Sequence, residues 1–338
     1  MAVYTQIDNP ELFFQCKIYT GNGTDDTSIT LDGDENMQPD LVWLKRRDNA
    51  GRNRLFDSVR GATKWLRSDD TDAEGTAADS LKSFDSDGFT LGADSASGGI
   101  NVNINTETMA AWCWKESATA GFDIVSYTGN ATNRTISHSL SAVPAMMIFK
   151  NRADSTNWVV YHHKNTSAPE TDYLYLSTTA ATADYADHFN DTAPTSSVFT
   201  VGTDNGVNDN TDAHIAYLFA EKQGFSKFGS YTGNGNTDGP MIWTGFRPAF
   251  LMVKKSSGTG NWVMSDNKRS VFNRVQNTLY ANVADAELTD GVYFDLLSNG
   301  FKIKDASSAN NTSGGTYIYM AFAEAPFVNS NGVPCNAR

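Results

Sequence analysis

Cysteine is nearly missing from this 338-residue chain, which has only Cys16, Cys113 and Cys335. An odd and widely spaced set makes neither a disulfide framework nor a metal knuckle, so stability has to come from ordinary burial. No apolar run approaches the roughly 18 residues of a membrane span. The opening Met1-Ala2-Val3-Tyr4-Thr5-Gln6 carries neither the charged nor the apolar stretch of a secretory signal. Membrane insertion is therefore not expected. Positive charge is short as well: 26 Lys and Arg stand against 39 Asp and Glu, a net charge of −13. A phosphate backbone needs a positive field, so nucleic acid is not an expected partner.

Glutamate is scarce among the acids, 9 against 30 aspartates. Aspartate competes for nearby backbone groups and is a poor interior helix residue, whereas glutamate is a good one. With 27 Gly and 12% aromatics, the composition is that of strands joined by turns.

What the chain does contain is one pattern written three times. Tyr19-Thr20-Gly21-Asn22-Gly23 recurs as Tyr127-Thr128-Gly129-Asn130 and as Tyr231-Thr232-Gly233-Asn234-Gly235. Each is followed by a Pro that opens an apolar run closed by Lys: Pro39 to Lys45, Pro144 to Lys150 and Pro248 to Lys254. Asn53, Asn157 and Asn261 come next, and then Leu66, Leu176 and Leu279, each with an acid eight residues on (Glu74, Asp184, Glu287). Phe89, Phe199 and Phe301 head short alternating segments, and aromatic-rich runs ending at Glu116, Glu221 and Glu324 close each unit. Continuous apolar runs fit strands buried on both faces, and Phe-Thr-Leu alternation fits a half-buried strand. Asn- and Gly-rich stretches at 97–105, 204–210 and 309–315 read as surface loops, and Tyr-Thr-Gly-Asn as a hairpin turn.

The expected fold is all-β: three tandem β-sandwiches or jelly rolls, each about 105 residues and able to bury its own core. The expected spans are an N-terminal docking segment, residues 1–15, followed by sandwiches at 16–117, 118–222 and 223–338. Trp43, Phe149 and Val253, with Phe89, Phe199 and Phe301, are expected in the cores as matched apolar positions. Within the N-terminal segment, Asn9-Pro10-Glu11 fits a helix start.

Chemistry has little footing in this sequence. His138, His162, His163, His188 and His214 share no position between units, and His162 and His163, as strand neighbours, would point to opposite faces. No nucleophile elbow, zinc-protease or CxxC motif is present. The protein is therefore not expected to be an enzyme, with no catalytic residue, cofactor or metal site assigned. The acidic stretches Asp25-Asp26, Asp32 to Glu35 and Asp69 to Asp72 lack the calcium-loop pattern and read as solvated turns. Trp65 and Trp243 have no Trp counterpart in the other units, and a lone aromatic offers a flat face to a sugar ring or an interface. They are candidate ligand residues. Leu12, Phe13 and Phe14 are candidate interface residues, either docking onto a partner or folding back over an edge strand.

The phrases PDLVWLKRR, LFDSVRGATKWL, SFDSDGFTLG, AEKQGFSKFGSYTGNG and SGGTYIYMAFAEAPFV resemble a family of virion-associated proteins of marine tailed phages, over nearly the whole chain. The resemblance implies lectin-like sandwiches and location in the virion after synthesis in the host cytoplasm. It also implies other virion proteins as partners, and a tail-fibre or receptor-binding role toward a host surface glycan or protein. A capsid or tail decoration without a ligand is the other role it admits, since no fibre shaft is present. Phage fibres are commonly trimers, which admits a homotrimer, although three internal units also supply a threefold arrangement within one chain.

Overall fold

The computed structural model describes residues 4–94 and 100–336, so residues 97–99 of the first expected loop and 1–3 of the N-terminal segment lie outside the described residues. The fold is all-β. Among the described residues, helix is limited to the single 3₁₀ turn Pro10–Leu12 and two four-residue α-helices, Ala186–Phe189 and Asn205–Asn208. No helix there is long and apolar enough to cross a membrane.

Three large antiparallel sheets follow one another along the chain. The first has the order Phe14–Thr20, Thr108–Trp114, Leu41–Arg46, Arg54–Asp57. The second begins Phe122–Thr128, Ala213–Phe219, Met146–Asn151, Val159–His162, and the third begins Ser226–Thr232, Thr316–Pro326, Phe246–Lys255, Trp262–Asp266. In each, the closing strand of a span pairs between its first strand and its Pro-to-Lys strand. Smaller sheets lie beside them: Thr27–Ile29 with Gly88–Leu91 and Leu81–Asp85, Arg134–Ser137 with Val198–Val201, and Met241–Trp243 with Gly300–Ile303 and Phe294–Leu297.

The Pro-to-Lys strands are apolar throughout because both faces are covered. Leu41 and Trp43 turn to one core, and Val42 and Leu44 turn to another that contains Phe89 and Leu91. In the second sheet, Met146 and Ile148 face the first of these cores, while Met147 and Phe149 pack with Phe189 and Phe199. Trp43, Phe149, Val253, Phe89, Phe199 and Phe301 are all buried. The expected match of Trp43 with Phe149 and Val253 is one residue out of step. Lys45, Lys150 and Lys254 pair with Ala110, Ile215 and Ile318, so Leu44 is the counterpart of Phe149 and Val253. A slip of one residue exchanges the faces, which is why Trp43 lies in the other core.

The core that Trp43 faces is shared by all three spans. At its centre Trp114, Phe219 and Phe322, one from each closing strand, form a triangle with ring centroids 6.4, 5.7 and 6.0 Å apart. A core common to the three spans goes beyond the expectation that each unit is long enough to bury a core of its own.

Polar joints run around this centre in one direction. The Lys45 ammonium donates to the Val283 carbonyl (2.9 Å), Lys150 to Thr71 (3.1 Å) and Lys254 to Thr179 (3.4 Å). Each lysine thus reaches the preceding span, with the first reaching the third. Trp158 Nε1 donates to the Arg67 carbonyl and Trp262 Nε1 to that of Tyr175, while Asn53 Nδ2 donates to Tyr280. Arg152 pairs with Glu74, and Arg47 with Glu287. The contacts run head-to-tail from span to span and close after three steps.

Tyr-Thr-Gly-Asn is not a hairpin turn. Phe14–Thr20 belongs to the large sheet and Thr27–Ile29 to the small one, so the motif carries the chain from one sheet to the other. The Tyr19, Tyr127 and Tyr231 hydroxyls donate to the carbonyls of Val102, Val207 and Asn310 at 2.6–2.7 Å. A Cβ on Gly21, Gly129 or Gly233 would sit 2.2, 1.9 or 2.4 Å from the carbonyl oxygen of Ile104, Asp209 or Thr312. Close backbone approach explains the invariant glycine. Buried Asn103, Asn208 and Asn311, unnoticed in the sequence, accept from the backbone N–H of Asn22, Asn130 and Asn234 and hold each crossing in place.

Candidate ligand-binding cleft

The strand Met241–Trp243 ends a small sheet, and its pairing locates Trp243. Ile29 lies opposite Phe89, Ile136 opposite Phe199 and Ile242 opposite Phe301. The next residues along are Thr30, Ser137 and Trp243. Two of the three places hold a small hydroxyl residue, so nothing in the packing demands an indole there. Trp243 is 54% exposed and meets the Phe327 ring edge-on, with centroids 5.3 Å apart.

Around it lies a cleft of about 530 Å³ assembled from four separate stretches of chain. Thr244, Gly245, Phe327 and Val328 form the side next to Trp243, Tyr4 and Gln6 supply the N-terminal wall, and Glu221, Gln223 and Lys227 face them. Phe327 is fixed by its N–H, which donates to the Gly245 carbonyl at 3.1 Å. The N-terminal wall is fixed by the Gln6 N–H on the Gln223 carbonyl and by Thr5 against Gly224. Gly224 has φ +78°, and a Cβ there would fall 2.4 Å from the Thr5 hydroxyl oxygen, so both backbone conformation and space require glycine. At the tail, the Asp8 carboxylate accepts from the Ser330 N–H and hydroxyl, which holds its pKa below the usual carboxylate value. An exposed Trp, an exposed Tyr and amide, hydroxyl and charged side chains thus border one concavity. That combination suits a ligand with both apolar faces and hydroxyls.

The other sequence candidates lie elsewhere. Trp65 is half-buried, with the Arg67 and Arg54 guanidinium carbons 4.5 and 5.5 Å from its ring centroid and Gly75 packed against it so closely that a Cβ would sit 2.1 Å away. Its faces are occupied from within the chain, which leaves none for a sugar. Phe14 is the first residue of a core strand, 1% exposed, and stacks 5.0 Å from Phe322. Phe13 packs edge-on against Phe225, and Leu12 alone stands exposed, at the end of the single 3₁₀ turn that Asn9 caps. The described part of the N-terminal segment therefore folds back onto its own chain, against the start of the third span, and Phe13 and Phe14 are not free to dock a partner.

His162 and His163, expected on opposite faces, both reach the third sheet, where their Nε2 atoms bond the carbonyls of Tyr319 (3.1 Å) and Phe228 (2.7 Å). Burial lowers the pKa of both, His162 to about 3. Most of the acidic turns are neutralised locally, with Asp25 and Asp26 on Lys82, Asp32 on Lys17, and Asp70 on Arg52. Asp154, Asp209 and Asp212, which no sequence pattern joins, bring carboxylate oxygens within 4.8 Å of one another.

The family described as "Domain of unknown function (DUF7483)" matches residues 9–326, and the chain belongs to it. No curated protein matches the chain.

Proposed function

We propose that this member of the family is a recognition module on the surface of a tailed-phage particle, built from three copies of one two-sheet sandwich closed into a ring, and that the Trp243 cleft binds a saccharide of the host surface. The phage assignment rests on the sequence resemblance. The triplication is supported by the shared strand order, the matched Tyr-Thr-Gly-Asn crossings and the one-way lysine joints. The observation that carries the binding reading is Trp243: more than half exposed, in a cleft, at a place where the other two copies carry Thr30 and Ser137. Side chains common to all copies serve the fold, and a large apolar one present once and facing water serves something else.

A second reading, decoration of capsid or tail without a ligand, is favoured by the loop residues Val271 and Phe272, 56% and 79% exposed, which suit contact with a neighbouring subunit. Screening the full chain and Trp243→Ala against an immobilised saccharide panel separates the two. The recognition reading expects a binder whose affinity falls about tenfold or more in the variant while the melting temperature stays put, since the ring is already in water. Failure of every saccharide to bind overturns it in favour of decoration.

A further inference from the structure

The cleft continues beyond its rim. Glu221 and Lys227 line it and also line a second hollow of about 380 Å³, whose far side is formed by His163, Lys164, Ser230 and Tyr319. The floor of the second hollow is kept low by Gly229, where a Cβ would fall 2.4 Å from the Tyr319 hydroxyl oxygen. The two hollows share a wall, so a ligand longer than one ring can pass from one to the other over the Glu221–Lys227 pair.

The lining of the second hollow carries more positive than negative charge. The Glu221 carboxylate is cancelled by the Lys227 ammonium, which contacts it at 2.5 Å. His163 bonds the Phe228 carbonyl, and burial lowers its tendency to take a proton. Lys164 is exposed and has no ion pair among the described residues. One uncompensated positive charge therefore faces the hollow of a chain whose net charge is −13.

Resting on the reading of the Trp243 cleft as a saccharide site, we infer that the ligand is an extended anionic saccharide chain, with one ring against Trp243 and a carboxylate- or sulfate-bearing ring further along set against Lys164. Lys227 is the second cation such a group meets if it displaces Glu221. Attraction of a polyanion by the chain as a whole is not the explanation, because its net charge is −13.

Two polymer pairs matched in backbone test this on the full chain: polygalacturonate against its methyl ester, and dextran sulfate against dextran, with carboxylate and sulfate as separate arms. The expected result is that the anionic member of at least one pair binds about tenfold more tightly at low salt. Lys164→Gln, a surface change, should remove that preference without weakening the neutral polymer. Glu221→Gln should strengthen it by freeing Lys227, and Trp243→Ala should weaken both members. Equal binding within both pairs, or a preference untouched in Lys164→Gln, overturns the inference while leaving the cleft reading intact. Absence of binding to all four polymers overturns the inference as well, and the cleft reading then stands or falls with the saccharide panel.

Discussion

Lys45, Lys150 and Lys254 have side chains fully out of water, yet each ammonium is met by backbone carbonyls of its own loop and of a neighbouring span. An ammonium left without such partners would cost several kcal/mol. Even so, burial pushes all three pKa values down to about 8, whereas an unfolded chain holds these protons up to pH ~10.4. Between those limits the unfolded chain binds more protons than the native one, so the lysines' contribution to stability rises with pH through that window and is flat below it. Denaturant melts of wild type and Lys150→Met at pH 7.5 and pH 9.5 check this: wild type should gain about 2 kcal/mol relative to the variant over that interval. A stability difference independent of pH would show that the ammonium is not buried as described. Ala131 supplies a second test. It follows Tyr-Thr-Gly-Asn with φ +52°, where Gly23 and Gly235 have φ +66° and +68°. Ala131→Gly should stabilise by roughly 0.5–1 kcal/mol, the left-handed penalty of alanine less the entropy of glycine, as read from the melting midpoint.

The crossing between sheets is the most demanding element, since it brings two backbones together at a glycine that has no space to spare. Gly129→Ala places a methyl group 1.9 Å from the Asp209 carbonyl oxygen and should cost about 3 kcal/mol, measured by urea unfolding. A loss under about 0.5 kcal/mol would mean the loop is free to move away. That these strands exist was legible in the sequence, because Leu41 to Leu44 and its counterparts are apolar runs bounded by Pro and Lys. Where they go was not. A turn of Gly and Asn joins two strands of one sheet or strands of two sheets with the same residues, and only the partners across the ladder decide between them. Registers suffered likewise: Trp43 and Leu44 are both large and apolar, and period-2 geometry gives them opposite cores. The candidate tryptophans divide for a similar reason. Trp65 and Trp243 look alike in sequence, but Arg54, Arg67 and Gly75 close over the first, whereas Thr244, Gly245 and Phe327 leave the second open.

Taken whole, the molecule holds a core to which all three spans contribute, with Trp114, Phe219 and Phe322 at its centre. Units joined through one core unfold together, so calorimetry should show a single transition with equal calorimetric and van't Hoff enthalpies. Residues 118–222 expressed alone should give no cooperative melt, since Trp158, Phe219 and Ile148 would lose their apolar surroundings. Resolved transitions or a stably folded fragment would speak for independent sandwiches. Three spans with matching joints raise the question of how many sites they carry. Trp243 lies in one span, and its cleft is lined by the N-terminal segment and the tail as well. The most direct measurement is a calorimetric titration of the full chain with the tightest-binding member of the saccharide panel. The account predicts one ligand per chain, with the affinity lowered about tenfold or more by Trp243→Ala. A stoichiometry of three, or an affinity unchanged in Trp243→Ala, would contradict it.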